Sequence, residues 1–139
     1  MTPEQARRRF AHARVARLAT ADTDGRPHLV PMVFALAGGT IYSAVDAKPK
    51  RSTSLRRLAN IAANPRVAVL VDHYDDDWNT LWWVRADGSG RIVEAGEPEG
   101  RDAVARLLAR YSQYRARPPH GPVVAIDVAR WSSWSAAGS

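Results

Sequence analysis

The sequence predicts a small, mainly antiparallel β-barrel, closed or split, with helices at its periphery. Three observations lead to this fold class: there are six or seven short strand candidates, most connections between them have hairpin length, and only a few segments show helical spacing. At 139 residues the chain fits one domain. No repeat or linker divides it, so we expect a single unit over 1–139 with a frayed tail at 135–139.

The first elements are a capped helix and a strand followed by a turn. Thr2 and Gln5 have the spacing of a capping box, and Pro3 fits the first helical position, which predicts a helix that ends near residue 12. A strand is predicted at 15–20. The acidic and glycine residues at 22–25 are typical of the turn that follows it.

The next two strands are predicted at 28–36 and 40–45, with a tight turn at Gly38-Gly39 between them. Pro31 lies inside the first of these strands. Proline cannot donate to a β-ladder, so this position belongs to an edge strand or a bulge.

A short helix should begin at one of residues 52–54 and end at 60–63, where Asn64-Pro65 stops it. Its apolar positions predict the buried face, which comprises Leu55, Leu58, Ala59 and Ala62. The strand at 66–71 is apolar almost throughout and is therefore expected at the centre of the sheet.

The last elements are a hairpin, a long helix and a final strand. Strands at 80–85 and 91–95 are predicted to pair around a turn at 87–90, because two glycines lie in it. The longest helix is predicted at 101–116, and the last strand at 123–131.

The net charge of +6 is concentrated in one segment. Residues 47–71 hold six cations and no acid, whereas the rest of the chain is balanced. This segment joins a strand to a helix N-terminus, whose free N–H groups favour anions. The sequence therefore predicts a phosphate-binding site, for which a solvated basic helix face is the alternative. Its candidate residues are Lys48, Lys50, Ser52, Arg56 and Arg57.

Five tryptophans are many for this length, and three of them lie at 78–83. Trp82 and Trp83 should point to opposite faces of their strand. One of them can enter the core. The other needs a partner chain or a flat ligand to cover it, so we expect a homodimer interface or a cofactor wall here, with plain packing as the alternative.

The usual catalytic and metal-binding motifs are absent from the sequence. There is no cysteine, no Walker-type loop, no GxSxG and no HExxH, and the four histidines are scattered. No metal site is predicted and the catalytic residues stay unknown, with Tyr42, His28 and His73 as weak candidates. Difficult chemistry would have to come from a cofactor. Neither a membrane span nor a signal peptide is predicted, so the expected location is cytoplasmic.

The sequence resembles the flavin- and deazaflavin-binding split-barrel proteins related to pyridoxamine 5′-phosphate oxidase, especially their coenzyme F-420-dependent branch. The order and spacing of several short motifs carry the resemblance over nearly the whole chain. They are 15–20 (VARLAT), 24–28 (DGRPH), 30–32 (VPM), 46–50 (DAKPK), 55–61 (LRRLANI), 64–67 (NPRV) and 78–90.

The resemblance implies a six-stranded antiparallel split barrel that dimerises, with the cofactor at the subunit interface. It also implies that the basic segment holds the cofactor phosphate, and that Val30, Pro31 and Met32 lie against the tricyclic ring. Trp78, Trp82 and Trp83 would come from the other subunit or close the dimer.

The resemblance implies that the protein is an F-420-dependent oxidoreductase, which is expected to transfer a hydride between the bound deazaflavin and a small organic substrate. The phosphodiester and polyglutamate tail of F-420 suit a six-charge segment better than flavin mononucleotide (FMN) does. The alternatives are an FMN-binding oxidoreductase of the same fold and a non-catalytic F-420-binding or storage protein. A nucleic-acid-binding module is the more distant alternative, because the basic segment is short.

Overall fold

The computed structural model describes residues 1–45 and 52–137, and only the backbone of residues 52–55. Within these ranges the chain forms seven strands, four α-helices and one 3-10 turn. In chain order they are α1 (Pro3–His12), β1 (Ala16–Ala21), β2 (Pro27–Met32), β3 (Ala35–Ala37), β4 (Thr40–Ala44), α2 (Ser52–Ala63), β5 (Arg66–His73), the 3-10 turn Trp78–Thr80, β6 (Trp82–Val93), α3 (Pro98–Arg110), α4 (Ser112–Ala116) and β7 (Val123–Ser135).

The seven strands form one antiparallel sheet in the order β2-β1-β5-β6-β7-β4-β3. Its two edge strands, β2 and β3, are consecutive in the chain, and only Val33 and Phe34 separate them. The three Cα–Cα steps from Met32 to Ala35 span about 11 Å at most, so the adjoining ends of the two edge strands must lie close together. The sheet therefore curls into a barrel that is split between β2 and β3, which confirms the mainly antiparallel split barrel with peripheral helices.

The expected number of six strands is wrong. The predicted strand at 28–36 breaks into β2 and β3 at a corner, where Phe34 turns into the core and the Val33 carbonyl accepts a hydrogen bond from Ser43 Oγ (2.8 Å). Pro31 does lie in an edge strand, as its missing N–H requires. The central position predicted for β5 is also confirmed.

The predicted hairpin around 87–90 is wrong, because β6 runs through these residues without a turn. The glycines serve close packing instead. A Cβ atom on Gly88 would clash with the Asp127 carbonyl oxygen on β7, and one on Gly90 would lie 3.1 Å from Ile61 Cγ2. A bulge between Asp87 and Gly88 shifts the register of β6 against β7 at this point. The turns predicted at 22–25 and Gly38-Gly39 are confirmed, and Gly25 and Gly38 have positive φ.

Helix α1 closes one end of the barrel and begins with the predicted capping box between Thr2 and Gln5. Its Phe10 is fully buried, and the centroid of the Phe10 ring lies 5.1 Å from that of the Phe34 ring and 5.0 Å from that of the Trp131 ring. These aromatic rings join the main core, which lies inside the curled sheet.

The bounds predicted for α2 are close to those observed, but its buried face is not. Asn60 and Ile61 turn inward, whereas Ala59 and Ala62 are exposed. Leu58 packs against the core as predicted. Of Leu55 the structure describes only the backbone.

The predicted helix at 101–116 is divided into α3 and α4 by Tyr111, which has an extended backbone (φ −121°, ψ 112°). The Tyr111 hydroxyl accepts a hydrogen bond from the Phe34 N–H (3.2 Å) and lies 3.1 Å from the Arg14 carbonyl oxygen. Breaking the helix allows this contact with the corner between β2 and β3.

The last strand, β7, is longer than predicted, because its second half pairs with β6 as far as Ser135. The Ala136 N–H also donates to the Leu81 carbonyl (2.9 Å), so the tail expected to fray at 135–139 is ordered at 135 and 136. Residues 138 and 139 lie outside the described ranges. None of the described helices is both long and apolar enough to span a bilayer.

Candidate functional site

Two hydrogen bonds, one of them buried, fix α2 across one end of the barrel. Asn60 Nδ2 donates to Thr20 Oγ1 on β1 (3.1 Å), and both residues are nearly inaccessible to solvent. After the helix, the Pro65 carbonyl accepts from the Gly90 N–H (2.7 Å). This attachment holds the preceding turn of α2, which carries Arg56 and Arg57, beside the hairpin of β1 and β2.

Arg56 is exposed and lines a small pocket of about 170 Å³ between α2 and this hairpin, together with Asp22, Arg26 and His28. One Asp22 carboxylate oxygen accepts from the N–H groups of Asp24 and Arg26, at 2.9 Å each. The Arg26 N–H bond is the largest cause that lowers the pKa of Asp22. The hairpin thus keeps a charged carboxylate beside the two arginines of this pocket.

Arg57 and His28 each bury a nitrogen that has no hydrogen-bond partner among the described residues, namely Arg57 Nε and His28 Nδ1. Burial lowers the pKa of Arg57, but an arginine side chain stays protonated in proteins. Burial, then the charges of Arg56 and Arg57, also lower the pKa of His28. Leaving a buried polar atom unpaired costs about 1–3 kcal/mol.

An anion with several oxygen atoms would satisfy this corner, which we call the basic corner: Arg56, Arg57 and His28. The structure therefore brings together two of the five predicted phosphate-binding residues and adds His28. Lys48 and Lys50 lie outside the described residues. Ser52 is the first residue of α2, and only its backbone is described. The role predicted for these three residues stays a prediction.

The segment predicted to lie against a cofactor ring starts two residues after His28, on β2. The side chains of Val30 and Met32 point into the core and are 8% and 6% exposed, whereas Pro31 faces solvent opposite Arg17. Of the three side chains only Pro31 is well exposed. The ring contact itself stays a prediction.

The tryptophans lie at the other end of the strands from the basic corner. Trp82 pairs with His73, at the end of β5. His28 pairs with Thr20 on β1, and the neighbouring residue Ala19 pairs with Ala68, near the start of β5. Trp82 and Trp83 do point to opposite faces: Trp82 packs against the core, and Trp83 lies on the outside of the sheet. Trp78 is 75% exposed on the 3-10 turn. Within one chain, tryptophans and basic corner do not form one site.

The outside of the sheet carries a largely apolar groove of about 460 Å³, which we call the outer groove. Leu29 is 68% exposed there and Tyr74 is 59% exposed. Charged side chains of both signs lie among the apolar ones. The lining residues are Arg17, Ala19, Leu29, Ala68, Leu70, Asp72, Tyr74, Trp83 and Arg85.

A second cationic surface was hidden by the charge balance along the sequence. Residues 1–17 contain five arginines and one glutamate, and 72–77 contain four aspartates, so the two segments cancel in the sum. In the fold, Arg9, Arg14 and Arg17 line one trench of about 430 Å³ together with Asp72 and His73. A net charge counted over separate segments cannot reveal which of them meet.

Comparison with solved structures identifies the same fold in several proteins. A conserved hypothetical protein of Mycobacterium tuberculosis has a TM-score of 0.72 and 27% identity, covering 98% of this chain and 86% of that one. An FAD-binding protein of Mesorhizobium loti has a TM-score of 0.71 and 21% identity, covering 96% and 94%. The heme storage protein of Vibrio cholerae has a TM-score of 0.75 and 15% identity, covering 97% and 95%.

The last two identities are low enough that they show the fold alone. No curated protein matches the chain significantly. The sequence pattern described as pyridoxamine 5′-phosphate oxidase, however, matches residues 2–135. The chain therefore belongs to the pyridoxamine 5′-phosphate oxidase family of split-barrel proteins.

Proposed function

We propose that this protein is a coenzyme F-420-dependent oxidoreductase that binds the deazaflavin cofactor by its phosphate and acts on a small organic molecule. The observation that carries the proposal is the basic corner, where Arg57 Nε and His28 Nδ1 are buried without a partner among the described residues. A phosphate diester would supply acceptor oxygens to the guanidinium, and charge-assisted bonds of this kind are the strong ones.

F-420 is favoured over FMN because it carries a second anionic group, its polyglutamate tail, which additional cations of the protein can bind. The pocket that Arg56 and His28 line also holds Arg26, so cations extend beyond the immediate surroundings of Arg57. Lys48 and Lys50 add two further charges to the same segment of the sequence. FMN is the second candidate, and the FAD-binding protein of Mesorhizobium loti, which shares the fold, favours it.

A homodimer forms part of this proposal. The outer groove exposes apolar side chains and carries Arg17 and Arg85 beside Asp72, so two copies can pair unlike charges across a two-fold axis. Dimerisation would also provide a way for the tryptophans of one subunit to approach the basic corner of the other. A location in the cytoplasm stays a prediction.

The residues of this chain would bind and orient the cofactor, which supplies the hydride chemistry when bound. The weak catalytic candidates receive little support. Tyr42 donates its hydroxyl to Glu99 (2.7 Å) on the α3 side of the sheet, and His73 is paired with Asp75 (3.0 Å). His28 lies in the basic corner, where its surroundings favour the neutral imidazole.

The test is to titrate purified protein into F-420 and, separately, FMN, and to follow cofactor fluorescence and polarisation. We expect micromolar or tighter binding of F-420 and weaker binding of FMN. Arg57→Gln should weaken F-420 binding by about tenfold or more, the effect of losing one charge-assisted hydrogen bond. Arg8→Gln is the matched control, because Arg8 is exposed on α1 and its substitution removes the same charge at a position outside the basic corner.

Failure to bind either cofactor at micromolar concentration would overturn the proposal. Tighter binding of FMN would replace F-420 with the flavin alternative. Turnover is then measured on a panel of enones, quinones and tetrapyrroles. Binding of F-420 without turnover of any of them would favour the storage protein over the oxidoreductase.

A further inference from the structure

We propose that a pocket between the start of β1, the corner of the sheet and α4 binds the organic substrate, and that this substrate is a planar molecule with a carboxylate or carbonyl oxygen directed at Arg14. This inference rests on the proposed function, since it assigns the second ligand of the same protein. We call the cavity the corner pocket. Its lining residues are Arg14, Val15, Val33, Tyr111, Gln113 and Tyr114.

The corner pocket has the size and composition of a small-molecule site. Its volume is about 400 Å³, within the range of about 300–1,000 Å³ that such sites occupy. Val15 and Val33 form aliphatic walls, and the rings of Tyr111 and Tyr114 meet edge to face with centroids 6.1 Å apart. Tyr111 is buried and Arg14 covers its ring, so the aromatic surface left to a planar ligand is the partly buried ring of Tyr114, which can pack by stacking or by edge contact.

Arg14 supplies a positioned charge at the pocket. Its guanidinium lies over the Tyr111 ring, 4.5 Å from the centroid, and Nη2 donates to the Arg110 carbonyl (2.7 Å). These two contacts fix the group, yet no carboxylate in the described part of the chain forms a salt bridge with Arg14. A fixed guanidinium without an acidic partner is suited to bind a carboxylate or a strongly polarised carbonyl oxygen.

The position of the corner pocket connects it with the proposed cofactor site. Val33 directly follows Met32, the last residue of the segment predicted to lie against the cofactor ring. At the other wall, Tyr114 lies close enough to Arg57 to act electrostatically on it. Along β2 the predicted ring segment lies between His28 of the basic corner and Val33 of the corner pocket, so a cofactor held at the basic corner with its ring against this segment would bring that ring to the pocket.

The experiment measures binding of two probes to the purified protein without cofactor, by calorimetry or by saturation-transfer NMR. The probes are 2-naphthoate and 2-acetylnaphthalene, which share a flat ring system but differ in charge. We expect 2-naphthoate to bind. Val15→Trp should weaken both probes by about tenfold or more by filling the pocket, whereas Ile92→Trp should not, because Ile92 is equally exposed (39% against 40%) but lies on β6 outside this pocket.

A second variant tests the charge. Arg14→Gln should weaken 2-naphthoate by about tenfold but 2-acetylnaphthalene by no more than about twofold, because the glutamine amide can still donate a hydrogen bond to a neutral carbonyl oxygen but supplies no charge for a carboxylate. F-420 fluorescence titrations on the same variants separate this inference from the proposed function: both variants should still bind cofactor. Absence of 2-naphthoate binding at millimolar concentration, or binding that Val15→Trp leaves unchanged, overturns the substrate pocket even if F-420 binds normally.

Discussion

At the scale of single residues, Arg91 joins β6, β7 and α3 through its side chain. Nη1 and Nη2 donate to the two carboxylate oxygens of Glu99 (2.6 and 2.7 Å), and Nε and Nη2 donate to Asp127 (2.7 and 3.1 Å). Tyr42 donates to the same Glu99 carboxylate. The bonds from Arg91, then the one from Tyr42, lower the pKa of Glu99 from 4.5 to about 2.

We predict that Glu99→Gln destabilises the protein in a pH-dependent way. The pKa of Glu99 is lower in the folded state than in the unfolded state, so its stabilising contribution is complete above about pH 4.5 and is lost as the pH falls toward 2. The ion pair is partly exposed, so the cost at pH 7 should be about 0.5–1 kcal/mol. Urea denaturation at pH 7 and pH 3 measures the difference.

Asp76→Asn is the matched control, because Asp76 is exposed and should give no difference at either pH. A loss of stability in Glu99→Gln that is the same at pH 7 and pH 3 would contradict the assignment of the ion pair.

The sequence predicts those residues whose partners are local. The capping box of Thr2 and Gln5 needs only a spacing of three residues, and it is correct. Asn60 was missed in the buried face of α2, because its partner Thr20 lies forty residues away. The same holds for Arg57 and His28. The run of positive charges identified Arg57, whereas nothing in the sequence shows that β2 places His28 beside it.

At the scale of elements, β6 shows how glycine can mislead a prediction. Gly88 and Gly90 were assigned to a turn, but they lie in a strand at places where other backbone or side-chain atoms come too close for a Cβ atom. The sequence alone does not distinguish a glycine that a turn needs for its positive φ from one that a strand needs because a neighbouring atom leaves no room for a Cβ atom. The two true hairpin turns were predictable because polar and glycine residues there lie between apolar strands.

We predict that Gly88→Ala destabilises the protein by about 2 kcal/mol or more, because the new methyl group would meet the Asp127 carbonyl and lie 3.1 Å from Val128 Cα. Relief requires β6 and β7 to move apart. Chemical denaturation measures the loss. Gly39→Ala is the control, since a Cβ atom there has no neighbour within 4 Å and φ is not positive; its change should stay below about 0.5 kcal/mol. Equal effects of the two changes would refute the packing explanation.

At the scale of the whole molecule, the outer groove is a surface that one chain leaves uncovered. The strands that contribute apolar residues to it are β1, β2, β5 and β6. A sequence shows an apolar face of this kind, by alternation of apolar and polar residues, only where the opposite face of the strand is polar. The fold class followed from strand count and turn length. The strand order did not, because pairing between β4 and β7 joins residues that are about eighty positions apart or more, from Ala44 with Val123 to Thr40 with Asp127.

We predict that Leu29→Arg prevents formation of the proposed homodimer. Leu29 is the most exposed of the apolar residues in the outer groove, and a charge there would be buried without a partner in the proposed interface. The dimer dissociation constant should rise by about tenfold or more, as measured by sedimentation velocity. Ile92→Arg, outside the groove, should leave it unchanged. A wild-type protein that sediments as a monomer, or a Leu29→Arg protein that remains dimeric, contradicts the interface.

The position of β7 also has a consequence for biosynthesis. This strand lies between β6 and β4, and without it the sheet is two separate parts, β2-β1-β5-β6 and β4-β3, which no described strand pairing connects. The ribosome makes β7 after all the strands that it joins. Until β7 has emerged, a nascent chain can form only two incomplete sheets, each with an open edge, and unpaired strand edges of this kind favour aggregation.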